Sequence, residues 1–134
     1  MLRIIICALI IFMSGCSTIK EAAKGFAGVS TRALENGRKD AIKKTFNLDY
    51  KTCYGKVKSI LAVSGSYIYA EDKAKKMIAI YISETDTTPV GVFFKEIDSM
   101  NVQVEVSSSA STYARELISK RIFSGLEPEK KEGQ

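Results

Sequence analysis

The 134-residue chain contains no histidine. Serine and cysteine nucleophiles are commonly activated by an imidazole base, and histidine is a frequent zinc ligand, so these hydrolases and zinc sites are disfavoured. The acids and hydroxyls of residues 84–88 lack the spacing of a calcium loop, and we interpret them as a polar turn. We therefore predict a non-enzymatic protein without catalytic residues, metal site or cofactor.

The chain begins with an apolar run that is too short to cross a membrane. Arg3 precedes the nine apolar residues 4–12, which as a helix would span ~14 Å against ~30 Å of bilayer hydrocarbon. The small residues Ser14 and Gly15 follow, and then Cys16. A basic start, an apolar stretch and a small-residue cleavage site are the three parts of a secretory signal.

The sequence Met13-Ser14-Gly15-Cys16 resembles the lipobox of bacterial lipoproteins, with Met13 where that family prefers leucine. The resemblance covers residues 1–17. It implies cleavage between Gly15 and Cys16, a diacylglyceryl thioether on Cys16 and an N-acyl chain, which together hold a protein on a membrane. Ser17, rather than aspartate, implies the periplasmic leaflet of the outer membrane if the source is Gram-negative. The alternative is an ordinary signal peptide that is cut elsewhere.

The positive charge is concentrated next to the predicted anchor. Residues 20–44 hold seven basic and three acidic side chains, a net charge of +4, whereas residues 45–134 hold twelve of each. Nucleic acid is a poor explanation for a protein outside the cytoplasm. The basic segment either attracts anionic headgroups or is simply a solvated helix face.

Only one of the three cysteines is expected to remain as a free thiol. Cys7 lies in the predicted signal peptide and Cys16 is the predicted lipidation site. Cys53 therefore has no intramolecular partner for a disulfide. Its place on the apolar side of a predicted helix favours a buried thiol, and an exposed one could pair with another chain.

The hydrophobic period changes several times along the mature chain. Residues 17–44 have a loose helical pattern, interrupted by glycines, and are predicted to form a helical tether. Residues 45–50 alternate as a half-buried strand does. From Tyr50 the period is that of a helix, with Asp49 as the predicted N-cap and Gly65 as the C-cap.

Three strand segments and a second helix are predicted after Gly65. The segments are residues 67–83, which include a charged turn at 72–76, then residues 90–97, and residues 102–106, where valines alternate with polar side chains. The segment from Ser108 to Ser111 offers N-cap oxygens, and Gly125 suits a Schellman ending. The predicted buried stripe of this helix is Tyr113, Leu117, Ile118, Ile122 and Phe123.

These elements predict an α+β fold, a two-layer sandwich in the order β-α-β-β-β-α. An antiparallel meander sheet of about four strands would carry two helices on one face. The predicted boundaries are a signal peptide at 1–15, a lipidated tether at 16–44, the domain at 45–126 and a disordered charged tail at 127–134. The element order is similar to small periplasmic lipoprotein domains, including helix-grip-like domains of an accessory lipoprotein in the outer-membrane barrel-assembly machinery. The face predicted to lie under the helices carries Ile78, Ile80, Ile82, Val102, Val104 and Val106.

The opposite sheet face is the candidate binding surface. It is predicted to carry Tyr67, Tyr69, Tyr81 and Phe93, with small residues between them. Tyrosine and phenylalanine contribute much contact area at low entropic cost, so this face suits a protein, peptide or glycan partner. Two alternatives are that the apolar stripe of the tether, with Phe26 and Leu34, covers this face, or that the register of the Tyr67 strand differs.

Together these features predict a lipid-anchored binding module or accessory subunit of the cell envelope. Its partners would be the membrane, through Cys16, and an envelope protein. The alternative is a lipoprotein that binds a small ligand or a cell-wall fragment in a pocket of a few hundred Å3 between helices and sheet.

Overall fold

The computed structural model describes residues 31–128. The chain divides into two units, Met1–Arg32 and Ala33–Gln134, and every element named below belongs to the second. The predicted lipobox with Cys16, Phe26 and residues 129–134 lie outside the described residues. Within residues 31–128, no helix combines the length and the apolar character needed to cross a bilayer.

Five antiparallel strands form one sheet: β1 (Ile42–Phe46), β2 (Tyr67–Asp72), β3 (Met77–Tyr81), β4 (Pro89–Asp98) and β5 (Asn101–Ser107). Their spatial order is β1-β5-β4-β3-β2. The four consecutive strands β2 to β5 form the predicted meander, and β1 adds to its far edge by pairing with β5. The helices are α1 (Tyr50–Val63) and α2 (Thr112–Leu126), and the short 3-10 helix Gly37–Asp40 precedes β1.

The α+β class is confirmed, but the strand count is corrected from about four to five. The predicted segment 67–83 is two strands, β2 and β3, joined by a tight reversal. The backbone amide of Lys75 donates to the Asp72 carboxylate at 3.0 Å, and Lys76 has φ of +52°. The charged turn thus ends one strand and starts the next, which gives the order β-α-β-β-β-β-α.

The first strand lies earlier than predicted. It runs over Ile42–Phe46 rather than over residues 45–50, because Asp49 and Tyr50 already belong to the start of α1. Lys43 and Lys44 made this stretch resemble a charged tether. In the structure they are accommodated by an edge strand, where Lys43 lies 3.6 Å from Glu105 and Lys44 pairs with Glu127.

Both predicted ends of α1 are confirmed. The Asp49 carboxylate accepts a hydrogen bond from the Thr52 amide at 3.0 Å. Hydrogen bonds from the Thr52 side chain and then from its amide lower the pKa of Asp49. At the other end, Gly65 adopts φ of +81°. The amides of Gly65 and Ser66 donate to the carbonyls of Ala62 and Leu61, which is the Schellman pattern.

Helix α2 begins as predicted but ends differently. Ser111 caps it by accepting from the Ala114 amide at 3.1 Å. Gly125 is not a C-cap: it lies inside the helix, and a Cβ there would approach Ile60 of α1 within 2.5 Å. The glycine therefore permits close helix packing. The predicted burial of Tyr113 is also wrong, because 69% of that side chain is exposed.

The main core lies between the helices and one sheet face. It contains all six isoleucines and valines that were predicted to face the helices. Helix α1 contributes Cys53, Val57 and Leu61, and α2 contributes Ile118 and Ile122. Cys53 is buried, as predicted, and burial raises the pKa of its thiol to about 11.

Candidate binding surface

The second sheet face has a covered half and an open half. Residues 33–36 are helical and continue into the 3-10 helix, so this stretch crosses the sheet before the chain enters β1. Leu34 is fully buried, and it forms a separate apolar cluster with Met77, Ala79 and Phe93. We call residues 33–40 the covering segment.

The strands are shaped to receive the covering segment. A Cβ at Gly91 would lie 2.8 Å from the Phe93 ring and 3.0 Å from the Leu34 Cβ, so glycine leaves room for the leucine. A Cβ at Gly37 would likewise meet the Ser107 hydroxyl at 2.6 Å. That hydroxyl donates to the Leu34 carbonyl at 2.8 Å, a buried bond between sheet and segment.

An ion pair fixes the end of the covering segment. The Arg38 guanidinium lies 4.4 Å from the centre of the Phe93 ring and donates to the Glu105 carboxylate at 2.5 Å. Glu105 is buried on β5, and a buried carboxylate is costly unless it is paired. Arg38 therefore covers an aromatic ring and compensates a buried charge at the same time.

Phe93 is consequently removed from the accessible candidate surface. Only 1% of its area is exposed, because Leu34 and Arg38 lie over it. The sequence analysis placed Phe93 on the correct sheet face. Its predicted contact with a partner is wrong, because residues of the same chain cover it. The alternative in which Leu34 covers this face is the arrangement observed around Phe93.

The three tyrosines of the candidate surface come together on the open half. The rings of Tyr69 and Tyr81 stack with centroids 4.3 Å apart, and Tyr67 and Tyr81 are nearly parallel at 6.2 Å. Tyr67 is 50% exposed, whereas Tyr69 and Tyr81 are partly buried. We call these residues the tyrosine stack, and its accessible side is formed mainly by Tyr67.

Tyr67 and Tyr69 share a sheet face through ordinary alternation, and a β-bulge at this point adds Ala70 to the same face. Tyr67 pairs with Tyr81 and Ile68 with Ile80, but the register then shifts between Ile68 and Ala70. Ile68 packs into the main core, whereas Tyr69 and Ala70 both pack against the second cluster. A strict alternation would not place these two consecutive residues against one cluster.

The stack lies next to the polar β3–β4 connection. The Ser83 hydroxyl accepts from the amides of Thr85 and Asp86, and the Asp86 carboxylate accepts from Thr88. These bonds describe a self-capped turn. Within residues 31–128, no group of three or more acidic or cysteine side chains is arranged to hold a metal ion.

A second surface, which the sequence reading did not identify, lies on the outer side of the helices. Two open grooves of about 410 and 380 Å3 follow the seam between α1 and α2 and share Ser59 and Ile60. Their cationic lining residues are Lys51, Lys56 and Arg121. The absence of acidic residues from α1 is visible in the sequence and could have indicated a basic surface. The grooves themselves form only where α1 contacts α2, which the sequence does not show.

No protein-family model matches this chain, and no curated protein sequence is significantly similar to it.

Proposed function

We propose that this chain is a lipid-anchored, non-enzymatic binding module of the bacterial envelope, and that the tyrosine stack contacts a protein partner. The resemblance of residues 13–16 to a lipobox supports the anchor on Cys16, and Ser17 supports the periplasmic face of the outer membrane if the source is Gram-negative. The exposed Tyr67 edge of the stack is the observation that supports the contact. Aromatic side chains are enriched in interfaces because they bury a large area with few rotatable bonds.

The position of the stack also favours a protein over a small molecule. Tyr67 and Tyr69 belong to β2, which is at one edge of the sheet, so a partner can reach them from the side as well as from above. The small-ligand alternative requires a pocket between helices and sheet, and one of about 430 Å3 lies between the end of β1, helix α1 and the end of α2, lined by Phe46, Lys56 and Leu126 among others. That pocket is where the ligand of the alternative would bind, whereas the exposed tyrosine edge supports the protein partner that we propose.

In-cell crosslinking of the full chain tests this function. Cells producing the chain are crosslinked, the chain is purified, and its companions are identified by mass spectrometry. We expect one recurrent envelope protein, lost from the Tyr67→Ser/Tyr81→Ser variant because the exposed ring and its stacking partner are gone. Phe93→Ser is unsuitable, because that side chain is covered by Leu34.

Tyr113→Ser is the matched control, since Tyr113 is an exposed tyrosine on α2, away from the stack. It should retain the companion. Equal recovery from the two variants, with both folded, would contradict the assignment of the surface. The mass of the purified chain reports acylation separately, and an unmodified Cys16 would contradict the anchor.

A further inference from the structure

We propose that the outer surface of α1 and α2 docks on an anionic lipid surface. The surface consists of the two grooves along the helix seam, with Lys51, Lys56 and Arg121 as their cations and the exposed Val63 at one end. We call it the helix seam. The inference rests on the proposed function in one respect: a lipid anchor would keep the domain close to a membrane.

Charge is the first argument. Helix α1 carries Lys51, Lys56 and Lys58 and no acidic residue, and α2 carries three basic residues and one acidic residue. Lys58 is 3.1 Å from Glu71 of β2, so its charge is compensated within the domain. Among residues 31–128, no carboxylate lines the two grooves. Outside them, Lys51 interacts electrostatically with Asp49, and Lys56 lines a neighbouring pocket with Glu127, which is itself paired with Lys44. The two helices together carry a net charge of +5, whereas residues 33–128 as a whole carry only +2, so the positive charge of the domain is concentrated in the helical layer.

The shape of the seam is the second argument. Gly55 has nothing within 4 Å of the position of a Cβ, so the α1 side of the groove is open at this point. The hydroxyls of Thr52, Ser59 and Ser64 along this lining already bond to Asp49, Gly55 and Ile60. The donors left for phosphate oxygens are therefore the lysine and arginine groups. The seam therefore matches a layer of phosphate headgroups.

Val63 supplies the third argument. It is a large apolar side chain, 89% exposed, and it lines the same groove as Arg121. An apolar side chain beside cations is the combination by which peripheral helices enter the headgroup region. A lipid surface accommodates both, and each basic residue near such a surface strengthens binding about fivefold.

Docking through the helix seam has a consistent geometric consequence. The helices cover one sheet face, and the tyrosine stack lies on the other. A domain lying on its helices would direct the tyrosine stack away from the bilayer, where a protein partner can reach it.

A unique fluorophore tests the docking, because the chain contains no tryptophan. The full chain with Val63→Trp is purified from the producing cells and added to vesicles of phosphatidylcholine, or of phosphatidylcholine and phosphatidylglycerol in equal amounts. We expect a blue shift of the emission, and quenching by acyl-brominated lipid, only when phosphatidylglycerol is present. The matched Tyr67→Trp variant, on the opposite sheet face, should show neither.

The role of charge is tested with two double variants that have the same net charge, both in the Val63→Trp background. Lys51→Gln/Lys56→Gln should lower the ratio of docked to undocked chain about 30-fold, whereas Lys39→Gln/Lys95→Gln, at exposed positions outside the seam, should leave it nearly unchanged. Equal losses from the two would overturn the proposal.

Two other results would also overturn it: emission that is the same with and without phosphatidylglycerol, or equal quenching of tryptophan at positions 63 and 67. Circular dichroism checks that each variant is folded. Acylation and partner capture are measured independently of this experiment, so failure of the helix seam is distinguishable from failure of the proposed function.

Discussion

The two faces of the sheet are buried by different means. One face lies under two helices, which contribute buried side chains along their length. The other is covered in part by the covering segment, whose single fully buried apolar side chain is Leu34. The first face holds the fold together. The second face combines a small core with an open aromatic surface, so it can be altered with less damage to the fold.

The largest expected effect is on the helix-covered face. Leu61→Ala removes a fully buried side chain from the main core, and we expect the free energy of unfolding to fall by about 3 kcal/mol. Urea unfolding followed by circular dichroism measures this loss. Amide exchange should accelerate in both helices and in the central strands. A loss below about 1 kcal/mol would mean that this face is packed loosely.

The next effect concerns the covering segment. Leu34→Ala also removes a fully buried leucine, but from a cluster of four, so we expect a loss of about 2 kcal/mol. Amide exchange should accelerate in residues 33–40 while the helices keep their protection. Uniform acceleration through the whole domain would show that the two faces unfold as one unit and would remove the contrast between them.

Two glycine-to-alanine substitutions, one under the covering segment and one in helix α1, should change the free energy of unfolding in opposite directions. Gly91→Ala crowds Phe93 and Leu34, so we expect unfolding to become easier by about 1 kcal/mol. Gly55→Ala meets nothing within 4 Å in the middle of α1, and it should stabilise by about 1 kcal/mol. Thermal unfolding measures both. A stabilising alanine at position 91 would show that Leu34 does not pack tightly against β4.

The last effect is a pH dependence of the helix-covered face, and it is absent at neutral pH. Burial raises the pKa of Cys53 to about 11 from an ordinary value of 9.0. The unfolded chain therefore releases this proton first, and the stability that the neutral thiol contributes below pH 9 is lost as the pH rises toward 11. From about pH 8 to about pH 10.5, the native chain should lose more stability than Cys53→Ala, in paired urea titrations. Parallel curves would contradict this.

The sequence predicted best where local chemistry decides the structure. Asp49 and Ser111 cap helices because their side chains reach backbone amides three residues later, which depends on the nearby chain alone. The alternation of valines in β5 likewise reflects one buried face. These local signals were sufficient for the class of the fold and for the composition of its main core.

The features that were missed depend on residues distant in the chain. Ile42–Phe46 forms a strand because β5, some sixty residues later, provides its hydrogen-bonding partner and supplies Glu105 beside Lys43. Gly125 resembles a helix terminator in the sequence, but it is inside α2, where Ile60 of α1 leaves no room for a side chain. The bulge at Tyr69 has no local signature, and it places Ala70 against the second cluster together with Tyr69.

The route by which the chain enters the domain has a mechanical consequence. The covering segment precedes β1, so tension applied to the chain before residue 33 reaches the Leu34 contact and the Ser107 hydrogen bond before it reaches the sheet. These contacts are few compared with the strand pairings behind them. A domain pulled from its N-terminal side would therefore yield first at the covering segment, uncovering Phe93 while the helices stay packed on the sheet.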